Sequence, residues 1–357
     1  MATQWLGAIP PPPGVTPNIV DPPSQWNGNI ALHTVCLTLA TTAVAMRIYT
    51  RTIITRTKMG VDDYLCLVSF VLTVAFSALM IKSYTLGIGR HLWDTPPLWL
   101  SDALKYFTFA QYVYLILTAT IKLTFLFFYR RVFSPQTLSK ILISFGIVFV
   151  STSHVAILFA TVFSCSPIAR AWNLAIPGRC INPVILPYLS GALSSATDLY
   201  VLILPIYPVW NLNMKLRRKI KLLAVFGLGI FAVAASIVRL AETPVLKSSP
   251  DATWNISRLA VWAVIEANIG IFCGCLLLLP AFLDRHWPKA FSSSVKGLFS
   301  TSNSRRLEKG GSSDRSSKQY SWPDSNHSHK VSVSTMSKGN SYLELNPSNR
   351  HNAHDTV

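Results

Sequence analysis

The stretch Leu104–Arg131, LKYFTFAQYVYLILTATIKLTFLFFYRR, decides how the whole chain is read. From Tyr106 to Tyr129 it is apolar or aromatic almost throughout, longer than the roughly 20 residues a bilayer-spanning helix needs, and it stops on the pair Arg130-Arg131. Near its middle stands Lys122. On insertion scales a lysine at that depth costs about 2.5–3.5 kcal/mol, so it is expected to face the inside of a helix bundle and meet a carboxylate from another helix.

The same kind of run recurs on both sides. Half of the 357 residues are hydrophobic and only 13% are charged, and the mean hydropathy is +0.38. Those values exclude the ordinary soluble class. Further spans are expected at about Asn29–Tyr49, from Asp62-Asp63 to about Tyr84, and at Ile141–Ser164, Val184–Tyr207, Ile220–Leu240 and Arg258–Leu283. The fold class that follows is an all-α membrane protein, a seven-transmembrane helix bundle over residues 29–283 in contact with the lipid bilayer. Pro187 and Pro205 predict a kink or broken turn in the fifth span.

A net charge of +17 would suggest nucleic acid in a soluble domain. Here the cations gather in short segments between apolar runs, which is an orientation signal, and no nucleic-acid partner is expected. Loop one carries Arg47, Arg51, Arg56 and Lys58. Loop three carries Arg130, Arg131 and Lys140, and loop five runs from Lys215 to Lys221, whereas the intervening loops are poorer in charge. The amino terminus is therefore expected outside and the carboxyl terminus in the cytoplasm. Residues 1–28 read as a Pro-rich extracellular tail with no signal-peptide pattern. In residues 284–299, Trp287, Phe291, Val295 and Leu298 recur at helical spacing and predict an amphipathic interfacial helix. Residues 300–357 are Ser-rich, too polar to fold, and read as a disordered cytoplasmic tail.

Four ionisable residues fall inside spans: Lys122, Asp198, Arg239 and Glu266. Counted from the cytoplasmic ends at about 1.5 Å per residue, Lys122 and Asp198 lie roughly 12 and 14 Å deep, Arg239 and Glu266 roughly 28 and 26 Å. The depths predict two separate pairs, Lys122 with Asp198 and Arg239 with Glu266. Against the second pair stands an Arg239 that snorkels to the outer interface while Glu266 is protonated in a polar cavity.

Several loops carry pattern. Cys165 and Cys180 lie on the outer, oxidising side, where a disulfide would tie the fourth span to the loop before the fifth and stabilise by roughly 3 kcal/mol in the chain-entropy picture; two free thiols are the alternative. Gly87, Gly89, Arg90, His91 and Trp93 form no nucleotide fingerprint and read as an extracellular turn that sets an interfacial Trp and a polar cluster. Asp62 and Asp63 open the second span from the cytoplasmic side, either as a helix cap or docked against Arg130 or Arg131. Asn255-Ile256-Ser257 is a glycosylation sequon. No metal site is expected, since the spans offer only His33 and His154.

Taken together, Gly60-Val61-Asp62-Asp63-Tyr64, Gly87 through Trp93, Lys122-Leu123-Thr124 with Phe128 through Phe133, Cys165 through Cys180, Asp198 with Pro205, Arg239, and Trp262 through Glu266 resemble the fungal rhodopsin-domain family of integral membrane proteins. The resemblance covers about Asn29 to Leu283. It implies seven spans and a receptor-like architecture, in a family that includes satratoxin-cluster-type membrane proteins. A retinal Schiff base needs a lysine in the last span, and Arg258–Leu283 has none, so no cofactor is expected.

The function expected is a receptor-like sensor of an unknown small-molecule ligand in the plasma membrane, with a cytoplasmic signalling partner and no enzyme activity. Coupling to a G protein would rest on architecture alone. The alternatives are a transporter or permeation pathway lined by Lys122, Asp198 and Glu266, and a non-enzymatic membrane protein associated with a secondary-metabolite cluster.

Overall fold

A computed structural model of the chain describes residues 7–18, 20–133, 137–206, 216–279, 282 and 285. The expected interfacial helix over 284–299, residue 285 apart, and the Ser-rich tail lie outside them, as do Pro280 and Lys215. Among the described residues seven long helices follow one another. They are α1 (Trp26–Tyr49), α2 (Val61–Thr85), α3 (Pro97–Val132), α4 (Thr137–Val162), α5 (Ile185–Ile203), α6 (Leu216–Glu242) and α7 (Ala252–Leu276). A π-helical turn, Thr50–Ile54, extends α1, and a single helical turn, Val245–Ser248, precedes α7.

Five of these helices are long and apolar enough to cross a membrane: Trp26–Ile54, Val61–Thr85, Pro97–Val132, Thr137–Val162 and Ala252–Leu276. Their burial pattern is the reverse of a soluble bundle. Along α2 the inward face holds Cys66, Ser69, Thr73, Ser77 and Ser83, while Val68, Val71 and Val74 point out. On α4, Phe145, Val148, Val155 and Phe159 line the outside. Apolar surface turned outward on helix after helix needs hydrocarbon for its surroundings, and small polar residues between helices let backbones approach and hydrogen-bond, as Ser69 does on donating to Thr120 at 3.0 Å.

α3 is the central element, packing on α2, α4, α5 and α7. At 36 residues it is about 54 Å long and outreaches the hydrocarbon layer. Leu117 and Leu126 on it are fully buried. One apolar cluster, including Ala40, Val44, Phe76, Leu117 and Val264, joins α1, α2, α3 and α7. Another, including Leu126, Ile143, Val150 and Val201, joins α3, α4 and α5.

The fifth helix bears out the expected broken turn at Pro205 and corrects it at Pro187. Pro187 falls in the first turn of α5, where its missing N–H would have had no helical partner, whereas α5 ends at Ile203, Leu204 and Pro205 form a turn, and Ile206 is helical again. α7 ends at Leu276, and Leu279 and Phe282 beyond it are again helical. The described part of the Pro-rich tail is seated on the turn between α2 and α3. The Ala8 N–H donates to the Leu92 and Thr95 carbonyls, the Gln25 N–H to the Gly89 carbonyl, and the Asn18 N–H to the Asp94 carboxylate at 2.8 Å.

Candidate functional site

The four charges expected inside spans meet in one place. The Lys122 ammonium lies 3.0 Å from the Asp198 carboxylate, and donates to the Ser194 carbonyl at 2.8 Å, the Ser194 hydroxyl at 2.9 Å and the Thr197 hydroxyl at 2.8 Å. Ser194, Thr197 and Asp198 stand at positions i, i+3 and i+4 of α5, so one face presents all three to α3. From α7, Glu266 accepts from the Ser194 hydroxyl at 3.0 Å and from Arg239 Nε of α6 at 2.8 Å. Ser236, one helical turn before Arg239, donates to Asp198 at 2.7 Å. The Arg239 guanidinium also lies over the Tyr114 ring, 5.3 Å from its centre.

This arrangement corrects the two-layer expectation. The pairs are joined in a single run, Ser236–Asp198–Lys122–Ser194–Glu266–Arg239, that touches α3, α5, α6 and α7. Counting depth along each helix leaves out side-chain reach: the Ser194 hydroxyl accepts from Lys122 and donates to Glu266, and so bridges the two levels. Nor does Arg239 snorkel, for it is buried. Ser194, Thr197 and Ser236 escaped the sequence reading because hydroxyls inside spans ordinarily bond their own helix. Thr197 and Ser236 do so as well, to the Leu193 and Ala232 carbonyls.

A narrow gap bordered by Tyr114, Thr118, His154, Ser190 and Ser194 runs alongside, with Arg239 on its wall. Arg239 Nη2 is a buried donor with no hydrogen-bond partner among the described residues. His154 Nδ1 lies 2.9 Å from the Val150 carbonyl, which places a proton on Nδ1 and leaves Nε2 as an acceptor when the ring is neutral. A guest entering here would find one unused donor next to hydroxyls and an apolar wall.

At the Arg-rich end of the bundle, Asp62 and Asp63 do more than cap. Asp63 accepts from the Gly60 N–H at 3.0 Å, a true N-terminal cap. Both carboxylates are also gripped by two buried arginines. Arg47 reaches Asp63 at 2.9 Å and Asp62 at 2.7 Å; Arg51 reaches them at 3.2 and 3.1 Å. The remaining Arg47 amino group donates to the Gly274 carbonyl of α7 at 2.7 Å. Of the two arginines expected to dock, Arg131 approaches Asp62 at 3.4 Å. A Cβ at Gly60 would meet Asp62 Oδ1 at 2.5 Å and Arg131 Nη1 at 2.8 Å, so either side chain would have to shift to admit one. Arg47 and Arg51, counted in the sequence only as orientation charges, are four residues apart and share a face; that spacing opposite Asp62-Asp63 is the signal that would have found them.

At the other end, Gly87 and Gly89 have φ of +117° and +87° and shape the turn. Gly89 N–H donates to the Thr253 carbonyl, and Thr253 donates back to the Arg90 carbonyl at 2.7 Å. His91 Nδ1 lies 2.5 Å from Asp251, and its ring is stacked between Trp93 and Trp254, at 4.6 and 4.3 Å. Trp93, half-buried, packs on His91. The sequon at Asn255 has no exposed acceptor, because the Asn255 side-chain nitrogen is buried and donates to the Asp251 carbonyl at 2.8 Å, while Ser257 is bonded to Asn29. Cys165 and Cys180 form a disulfide with sulfurs 2.06 Å apart, across a short antiparallel pair, β1 (Cys165–Ser166) and β2 (Arg179–Cys180). Trp172, inside that loop, stacks on Phe109 of α3.

Long outward-apolar helices around a largely buried set of charges define a multi-pass membrane protein. Comparison narrows the class: the family model described as the fungal rhodopsin domain matches residues 46–285, and the chain belongs to that family. A SAT4 family membrane protein of Emericella nidulans is 31% identical over 66% of this chain and 61% of its own length. Fugralins biosynthesis cluster protein 2 of Gibberella zeae is 26% identical over 81% of this chain and 74% of its own length. Receptor GIN3 of Arthrobotrys oligospora is 25% identical over 91% and 77%. The chain thus spans about three-fifths of the length of the SAT4 relative. No solved structure matches.

Proposed function

We propose that the chain is a seven-helix, receptor-like sensor of a small ligand, acting in the plasma membrane without catalytic chemistry of its own. α5 and α6 complete the spans, the amino terminus faces outside and the carboxyl terminus the cytoplasm. The distribution of charge and sulfur supports this orientation. Arg47, Arg51 and Arg131 gather at one end together with the free thiols of Cys66 and Cys275, as suits a reducing cytoplasm. The Cys165–Cys180 disulfide closes the other end.

The single observation that carries the sensor reading is the run of hydrogen-bonded charges through α3, α5, α6 and α7. Buried ion pairs are weak sources of stability, because desolvation offsets attraction. They are strong sources of discreteness, since moving one helix breaks several bonds together. A ligand that bound one arrangement more tightly than the other would shift the population between them. That one similar protein is named a receptor supports the same reading. Others named for biosynthetic clusters favour a second, a non-enzymatic membrane protein that accompanies such a cluster.

Complementation tests the sensor reading. In a host lacking the gene, transcript responses to a panel of secondary metabolites are compared after return of the wild type, Lys122→Ala or Asp198→Ala at matched surface levels. Loss of the response with either variant supports the network as the switch. Equal rescue by all three removes it.

A further inference from the structure

Three free cysteines cluster where α2 and α7 meet the Arg-rich end, and two of them touch. Cys66 Sγ of α2 and Cys275 Sγ of α7 are 3.7 Å apart, both buried. The contact is held from both sides. Gly274, the residue before Cys275, receives Arg47 through its carbonyl, and Arg47 in turn is clamped by Asp62 and Asp63, at the start of the helix that carries Cys66. The two sulfurs therefore sit on backbones fixed to each other by a buried ion cluster. Closing the gap to a bond of about 2.05 Å requires about 1.7 Å of sulfur movement, within reach of side-chain rotation.

Cys66 lies on a closed, mainly apolar seam between α1 and α2, beside Val44, Arg47, Ile48, Met59 and Leu67. A peroxide reaches the sulfur when that seam opens. Cys275, fully buried, has no place on that seam.

We propose that Cys66 and Cys275 are a redox-active dithiol that a peroxide converts to a disulfide, with Cys66 attacked first and Cys275 resolving. The Cys66 thiolate attacks one peroxide oxygen, the O–O bond breaks, and a sulfenic acid forms with release of hydroxide, which takes up the thiol proton as water. The Cys275 sulfur then displaces water from that sulfenic acid to form the S–S bond. In total the dithiol loses two electrons and two protons, and one hydrogen peroxide becomes two waters. The product fastens α2 to α7 beside the Arg47 clamp, across the bundle from the Cys165–Cys180 bridge. The assignment does not depend on the sensor reading.

The test uses the full chain in native membranes. Hydrogen peroxide is added and then removed, thiols are blocked with N-ethylmaleimide during denaturation, and digests are examined by mass spectrometry without reduction. The four free cysteines fall to two in treated protein, a Cys66–Cys275 linked peptide appears, and dithiothreitol restores both thiols. A Cys36→Ser/Cys273→Ser variant still forms the link, and Cys275→Ser instead accumulates sulfenic acid at Cys66, trapped by dimedone. The linked Cys165–Cys180 peptide is the internal control. Its recovery with no Cys66–Cys275 peptide overturns the proposal, as does a link from Cys66 to Cys273.

Discussion

At the Arg-rich end, three arginines crowd two aspartates; in the middle of the bundle, one lysine and one arginine meet one aspartate and one glutamate. Arg131 and, in part, Asp198 apart, both sets are buried, yet they are built differently. Asp62 and Asp63 each bind Arg47 and Arg51 directly, and the clamp is completed by backbone at Gly60 and Gly274. In the middle, contact between the two pairs passes through the single hydroxyl of Ser194, and one donor of Arg239 is left unused. Redundant direct contacts make the first set a fastening between α1, α2 and α7. A chain with one hydroxyl in its centre is easy to break at a defined point, which suits a part that moves.

The largest expected effect is that of Glu266→Ala. Glu266 is the carboxylate that faces Arg239, and removing it leaves a guanidinium buried without its counter-charge, a loss of about 3–5 kcal/mol. Thermal unfolding of the purified protein in detergent measures it, and Glu266→Ala/Arg239→Leu is expected to recover much of the loss, because no stranded charge remains. Next comes Asp63→Asn. It keeps an oxygen for the Gly60 N–H and leaves Asp62 to serve both arginines, so the expected cost is about 1.5–3 kcal/mol, that of weakened bonds to charged groups. Should Asp63→Asn prove costlier than Glu266→Ala, the redundancy assigned to the Arg-rich end is wrong.

What could be read in the sequence follows from rarity. Charges are few inside apolar runs, so Lys122, Asp198, Arg239 and Glu266 stood out at once, and the helices around them are legible from their length and hydropathy. The hydroxyls were not legible, since serine and threonine are common in spans and satisfy themselves on the preceding turn. Arg47 and Arg51 were hidden for the opposite reason: they lie where topology already accounts for cations. The sandwich of His91 between Trp93 and Trp254 joins residues some 160 positions apart through Asp251, and no local pattern announces such a contact. The same holds for the seating of residues 7–25 on the turn at Gly89, where Pro-rich composition suggested only an unattached tail.

Ser194→Ala ranks third and tests the connection itself. Removing one interhelical hydroxyl is expected to cost about 0.6–1.5 kcal/mol. The sharper measurement is a double-mutant cycle between Asp198→Asn and Arg239→Leu, repeated with alanine at position 194. Coupling between the two sites is expected in the wild-type background and its loss in the alanine background, since no other hydrogen bond among the described residues joins the pairs directly. Coupling that survives would mean the charges sense each other through space, and the hydroxyl is incidental.

Arg131→Ala is expected to have the smallest effect, under about 1 kcal/mol, because this arginine reaches the aspartates only at 3.4 and 3.7 Å with its side chain 37% exposed. What it adds to Asp62 and Asp63 is already supplied by Arg47 and Arg51 at shorter range. The remaining contribution is screened, so unfolding temperatures of wild type and variant should converge as salt is raised from low ionic strength to about 1 M, where the Debye length is about 3 Å. A large, salt-independent loss would show that the two buried arginines do not saturate the aspartates. The Arg-rich end would then be an incomplete cluster like the one at mid-bundle, and the contrast between a fastening and a switch would have to be drawn elsewhere.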